Sequence, residues 1–225
     1  LVTPGVGVPV IELFAEGDIG TNIVTRRADA DTRADRFRRY EIAGAPHVSQ
    51  WEELSFASDA DVALATRGAP PPGDDGCLPK DVASSDFPTR HAFNAAWRNL
   101  DHWVRRSTTP PRAPRLQLKP GAGDRFDPET AFVQDEHGNA RGGVRTPAVD
   151  VPLSRYVGAK TGAFRCMFDG YRYPFDAEKV KRLYPTREAY VEQVRRSADR
   201  LLRDRWLTPE DATQIVRDAE KTQFP

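Results

Sequence analysis

Histidine and cysteine are scarce in this chain of 225 residues: four histidines and two cysteines. The cysteines, Cys77 and Cys166, cannot complete a four-ligand zinc site by themselves. They allow either a disulfide, if the protein is exported, or two buried thiols. An excess of charge of either sign is also missing. Lysine plus arginine total 33 and aspartate plus glutamate total 33, a formal net charge of zero. A general electrostatic nucleic-acid binder is thereby excluded, because its domain would be clearly basic. No apolar run approaches the roughly 20 residues of a transmembrane helix, so no membrane span is expected. No signal peptide is recognisable, which leaves the cytoplasm and export both open. Apolar residues make up only 39% of the chain and prolines number 19, a composition that favours long surface loops. Full disorder is excluded all the same, since the tryptophans and phenylalanines need burial. The length suffices for one sizeable domain or two small ones.

Two short stretches stand out. "VPVIELFAEGD", residues 8–18, opens with an apolar run from Val8 to Phe14 that only Glu12 interrupts. Such a run, rich in β-branched residues, predicts a mostly buried strand of a parallel sheet. Ala-Glu-Gly-Asp then turns the chain. "YEIAGAPH", residues 40–47, repeats the plan: a buried strand over 40–43, a Gly-Ala-Pro turn and a histidine. In open α/β sheets the loops beyond the strand C-termini form the ligand crevice. An acid and a histidine on neighbouring loops of that edge can hydrogen-bond, the acid holding the imidazole's tautomer. On its own, His47 reads as a polar loop residue at the end of a strand.

The two stretches in this order resemble the last two strand–loop units of an α/β-hydrolase. There the triad runs Ser, then Asp or Glu, then His. The resemblance implies Asp18 as the acid and His47 as the base, with Glu16, in the same turn, as the alternative acid. The runs "DEHGNARGGVRTPAVDVP", "FDGYRYPF", "LYPTREAYVEQV" and "LTPEDATQIV" are in turn similar to a bacterial family of large α/β-hydrolase-domain proteins with a long C-terminal extension. That likeness covers nearly the whole chain and implies the fold and class without naming a substrate.

One departure is large. The nucleophile elbow Gly-x-Ser-x-Gly is absent: no serine of the chain sits between two glycines at that spacing. The elbow belongs upstream of the acid, and only 17 residues precede Asp18. The chain is therefore expected to be the C-terminal part of a longer hydrolase whose N-terminal part supplies the serine and the oxyanion hole. The implied activity is hydrolysis of a small-molecule carboxylic ester, with no metal or organic cofactor, and the chain alone is expected to be inactive. Two alternatives stay open: a hydrolase-like binding or scaffold module without chemistry, and an enzyme of the same fold with a different nucleophile.

The expected fold is α/β. Residues 1–118 would form the C-terminal part of the hydrolase core, with the acid and histidine loops and a final helix. Residues 119–225 would form an extension packed on it, ending in an αα-hairpin. Between acid and histidine, "NIVTRRADADTRADRFRRY" interleaves both charges and reads as a solvated connection. A proline- and glycine-rich loop at 67–81 is either a plain connection or a pocket wall. Residues 89–106 predict a helix burying Phe93, Trp97, Leu100, Trp103 and Val104 on one face. His91 and His102 in that helix read as surface or packing residues. His137 falls at a solvated hairpin tip, and Arg145 faces either a substrate carboxylate or an internal acid. A helix starting near Thr186 carries Tyr190, Val194, Ala198 and Leu201 on one stripe. Thr208, Pro209, Glu210 and Asp211 form a strong start signal for the last helix.

Overall fold

A strand does begin where the first apolar run predicts it: β1 spans Pro9–Ala15. The computed structural model describes residues 5, 7–48, 64, 67, 82–123, 126–160 and 170–225, so Cys77, Cys166 and most of the proline-rich loop lie outside the described residues. A single helical turn, α1 (Ile19–Asn22), follows β1, then a two-residue strand β2 (Ala30–Asp31) and the strand β3 (Arg36–Ile42). β1 and β3 pair in parallel from Pro9↔Arg36 to Ala15↔Ile42, and β2 lies antiparallel on the far side of β3. The parallel register puts the C-terminal ends of β1 and β3 at one edge of the sheet.

β1 is less buried than its composition predicts. Residues 9–14 are half-buried, because among the described residues no strand pairs with its outer edge. β3, by contrast, is buried from Phe37 onward although it reads Phe-Arg-Arg-Tyr-Glu-Ile. Arg38, Arg39 and Glu41 are among its fully buried side chains. Glu41 accepts hydrogen bonds from Arg26 (2.7 and 2.9 Å), from Arg39 Nε (2.9 Å) and from the Leu116 backbone N–H (2.9 Å). The Arg39 guanidinium stacks 3.8 Å from the Phe14 ring centroid. On the opposite face of the strand, Arg38 pairs with Asp31 at 2.6 Å and lies over the Trp103 ring. The stretch expected to be a solvated connection is half-buried or exposed through Arg36, but its end, from Phe37 to Tyr40, is buried and belongs to an ionic layer. Its interleaved acids and bases neutralise one another inside the protein, which is the condition for burying charge at all.

The helix α2 spans Arg90–Arg106, as the spacing predicts, but with a different face inward. Ala92, Ala95, Ala96, Asn99 and Trp103 are buried, whereas Phe93, Trp97 and Val104 are 41%, 70% and 58% exposed. Both sets recur at three- and four-residue spacing, so periodicity alone does not choose between them. The small side chains let the helix lie close to β1 and β3, with Ala96 packed against Tyr40 and Val144. That close approach buries the layer of strands more completely than a bulky face would.

Beyond α2, Leu118 and Phe132 form an antiparallel bridge, as do Gln134 and Ala140 around the "DEHGN" tip. His137 at that tip is half-buried beside the Phe175 ring rather than solvated. Arg145 is held between Asp135 (2.6 Å) and Asp150 (2.7 Å), the internal pairing. The segment around Val144 bonds to the end of β3: Val144 N–H donates to Glu41 O, and Ala43 N–H donates to Val144 O. One apolar core combines Ile19, Ile42, Phe87 and Leu116 with Phe132 and Val149, joining residues on both sides of Leu118. A second, antiparallel sheet is built from β4 (Ala83–Ser84), β5 (Ser154–Val157) and β6 (Tyr171–Pro174), in the order β4-β6-β5. Between its strands lies the short α3 (Pro147–Asp150).

The chain closes with α4 (Ala177–Leu183), α5 (Arg187–Arg203) and α6 (Pro209–Lys221). Thr186 and Thr208 cap α5 and α6 through their side chains, which accept from Ala189 N–H and Asp211 N–H. The two helices pack through Ala198, Leu201, Leu207 and Ala212. Helices flanking small sheets make the architecture α/β, the class expected from the sequence.

Candidate active site

The parallel register of β1 and β3 dictates where their following loops meet. Glu16-Gly17-Asp18 leaves β1 as one turn of 3-10 helix, and Ala43-Gly44-Ala45-Pro46-His47 leaves β3. Gly17 N–H donates to Ala45 O at 3.2 Å and so stitches the two loops together. Both loops need a glycine at the join. A Cβ on Gly17 would stand 2.2 Å from Gly158 O, and Gly44 has φ +78° with Val149 and Phe87 close by. A side chain at either position would push the loops apart or strain the turn.

In this frame His47 Nδ1 lies 2.6 Å from Asp18 Oδ1. The other carboxylate oxygen, Asp18 Oδ2, accepts the Ala15 N–H at 3.0 Å. Asn22 Nδ2 and Thr21 Oγ1 donate to the Asp18 carbonyl. The Ala15 N–H bond restrains the carboxylate before it meets the ring, and the two bonds to the carbonyl hold the turn that carries it. Since a carboxylate only accepts, Nδ1 carries the proton and Nε2 becomes the basic nitrogen. The side chain of His47 is 49% exposed and that of Asp18 22%, so the pair sits at a surface a substrate can reach.

Glu16 does not touch His47. It turns inward, 3% exposed, and accepts Gly44 N–H (Oε2, 2.7 Å) and Gly158 N–H (Oε1, 3.2 Å). The carboxyl thus braces the histidine turn against the end of β5. Burial pushes its pKa up from 4.5 to about 7, against the lowering effect of the two backbone N–H groups. A folded pKa above the unfolded one means that the stability tied to this group is complete below about pH 4.5 and is lost as pH rises through 7. The span corresponds to about 3 kcal/mol. Relative to Glu16→Gln, the wild-type protein should lose about that much stability between pH 4.5 and 8. Urea unfolding of both proteins at the two pH values reads the difference; parallel pH profiles would contradict the assignment.

Sequence reasoning missed Gly158, which closes the site from the second sheet. Its only signal was a glycine ending the strand-like "SRYV". The other histidines stay apart from the pair: His91 is buried in α2, His102 lies farther along the same helix, and His137 packs at the hairpin tip. Among the described residues no cluster of three or more His, Cys, Asp or Glu could hold a metal, and no helix is long and apolar enough to cross a membrane.

A protein-family profile described as "Alpha/beta hydrolase domain" matches residues 1–217. No curated protein and no solved structure matches the chain.

Proposed function

We propose, starting from the fact that this chain belongs to the α/β-hydrolase-domain family, that it supplies the acid and the base of a serine carboxylic-ester hydrolase. The observation that carries this reading is the 2.6 Å contact between Asp18 Oδ1 and His47 Nδ1 at the C-terminal edge of a parallel strand pair. Asp18 and His47 act as follows. A serine hydroxyl gives its proton to His47 Nε2 as its oxygen attacks the ester carbonyl carbon. Asp18 stabilises the imidazolium that results. His47 then returns the proton to the departing alkoxide, leaving an acyl-serine and a free alcohol. Water, deprotonated by the same nitrogen, hydrolyses the acyl-serine to a carboxylic acid. Each step balances without a metal or redox partner.

The serine comes from residues upstream of Leu1. Two observations favour this: the chain contains no Gly-x-Ser-x-Gly, and among the described residues the outer edge of β1 lacks a pairing strand. In α/β sheets of this kind further parallel strands belong there. The test is a fluorophosphonate probe applied to the longer protein that carries this chain, followed by peptide mapping. A single labelled serine upstream of Leu1 is expected. Labelling of a serine within residues 1–225, or of no serine, would sink the assignment.

A further inference from the structure

Two turns and the end of a strand meet at one side chain. Glu16 shares its turn with Asp18 but points the other way, into the protein. Its Oε2 accepts the N–H of Gly44, in the turn that carries His47, at 2.7 Å. Its Oε1 accepts the N–H of Gly158, just beyond β5, at 3.2 Å. The histidine turn also meets the second sheet directly. A Cβ on Gly158 would stand 2.6 Å from Ala45 O, and one on Gly170, just before β6, would stand 2.6 Å from Pro46 Cβ. A second tie between the acid and histidine turns, Gly17 N–H to Ala45 O, is longer at 3.2 Å.

Stability gives no reason to place a carboxyl here. Both bonds to it come from neutral backbone groups. Arg145 and Arg155, whose charges act on it, are themselves bonded to Asp135, Asp150 and Glu129. Burying a carboxyl without an ion-pair partner is costly. What the group does supply is two acceptor oxygens in one rigid plane, each meeting a backbone N–H of a different element.

We propose that Glu16 is a positioning residue for the acid–histidine pair: it clamps the turn carrying His47 between the acid turn and the second sheet, and so holds the imidazole at Asp18. The assignment rests on the reading of Asp18 and His47 as acid and base. The second sheet then acts on the reaction through the place it gives His47. Small displacements matter there, because about 1 Å of misplacement can cost about a hundredfold in rate.

The test uses this chain for spectroscopy and the longer protein for turnover. In the wild-type chain the Gly44 and Gly158 amides should exchange with deuterium at least about tenfold more slowly than an unbonded loop amide. Glu16→Gln keeps the shape but offers one acceptor oxygen where the carboxyl, protonated or not, offers two. Its NH₂ must face one of the two backbone N–H groups. The variant should still fold, since burial disfavours the charged form that the amide removes. One of the two glycine amides should lose about tenfold in protection. At pH 8 the ¹⁵N shifts of the wild-type His47 ring should report hydrogen on Nδ1, and in Glu16→Gln they should move toward the average of the two tautomers. In the longer protein, kcat for p-nitrophenyl esters should fall about tenfold with KM unchanged.

A merely structural Glu16 would alter melting and leave the His47 shifts and kcat as they are, and that result would overturn the assignment. A wild-type Gly44 amide that exchanges like a free loop amide would overturn it whether or not the variant folds. A longer protein without esterase activity would instead overturn the serine-hydrolase reading, and the His47 shifts would still decide for or against the clamp.

Discussion

In the longer protein proposed to carry this chain, replacing His47 with alanine should lower ester turnover by about four to six orders of magnitude. On the proposed mechanism the change removes the group that both takes the serine proton and returns it to the leaving alcohol. Asp18→Asn should cost about 10⁴-fold by a different route. The asparagine amide can donate to Nδ1, so the ring would carry its proton on Nε2 and have no lone pair facing the serine. Folding should survive both changes. The His47 side chain is half exposed, and its removal empties no core volume. Turnover of p-nitrophenyl esters, measured beside thermal melting, separates the outcomes. Variants that melt like the parent and retain near-full activity would reduce His47 and Asp18 to loop residues. The parent binding a ligand but hydrolysing no short-chain ester would favour a scaffold that has kept only its pocket.

The second large effect concerns stability and lies in β3. Glu41→Leu would leave the Arg26 and Arg39 guanidiniums without the carboxylate they share, Arg39 keeping only Glu12 at 3.6 Å as a charged partner. Breaking one side of a buried ionic cluster costs about 3–5 kcal/mol. For a chain of this size that is a fall of roughly 10 °C or more in melting temperature. The Leu116 N–H would lose its acceptor as well. Arg39→Met combined with Glu41→Leu should recover part of the loss, because removing charge from both sides is far less costly than removing it from one. A Glu41→Leu protein that melts within 2 °C of the parent, a threshold of about 0.5–1 kcal/mol, would show that water reaches this layer and solvates the orphaned arginines.

Sequence reading put Asp18 and His47 on neighbouring loops, where the structure brings them into contact, because both stretches obey simple local chemistry: an apolar run, a turn with glycine, then a polar side chain. Helix boundaries at Arg90, Arg187 and Pro209 were equally legible, the last from its threonine cap. Burial was not. Arg38 and Arg39 look like surface residues until Asp31 and Glu41 are brought to them by the fold. The inward face of α2 was read only in part: Trp103 is buried as expected, but Phe93, Trp97 and Val104 turn outward, because bulk alone is a poor guide where a helix must lie close to strands. Alanine and asparagine fit that gap; tryptophan at position 97 does not. The pairing of the second sheet escaped notice since its strands have two to four residues, too few for an alternating pattern to register. Glu16 and Asp18 could not be told apart by sequence, being two residues apart in one turn. The 3-10 geometry gives them different directions, one into the protein and one toward His47.

The outward side of α2 has a practical consequence for anyone handling this protein in solution. Phe93, Trp97 and Val104 face water on a molecule whose formal charge at pH 7 is zero. Near neutrality, long-range repulsion between molecules is at its weakest just where an oily strip is free to meet another copy. Solubility should therefore pass through a minimum around pH 7 and recover on either side. Phe93→Lys with Trp97→Glu would flatten that minimum while leaving the melting temperature almost untouched, since neither side chain belongs to the interior.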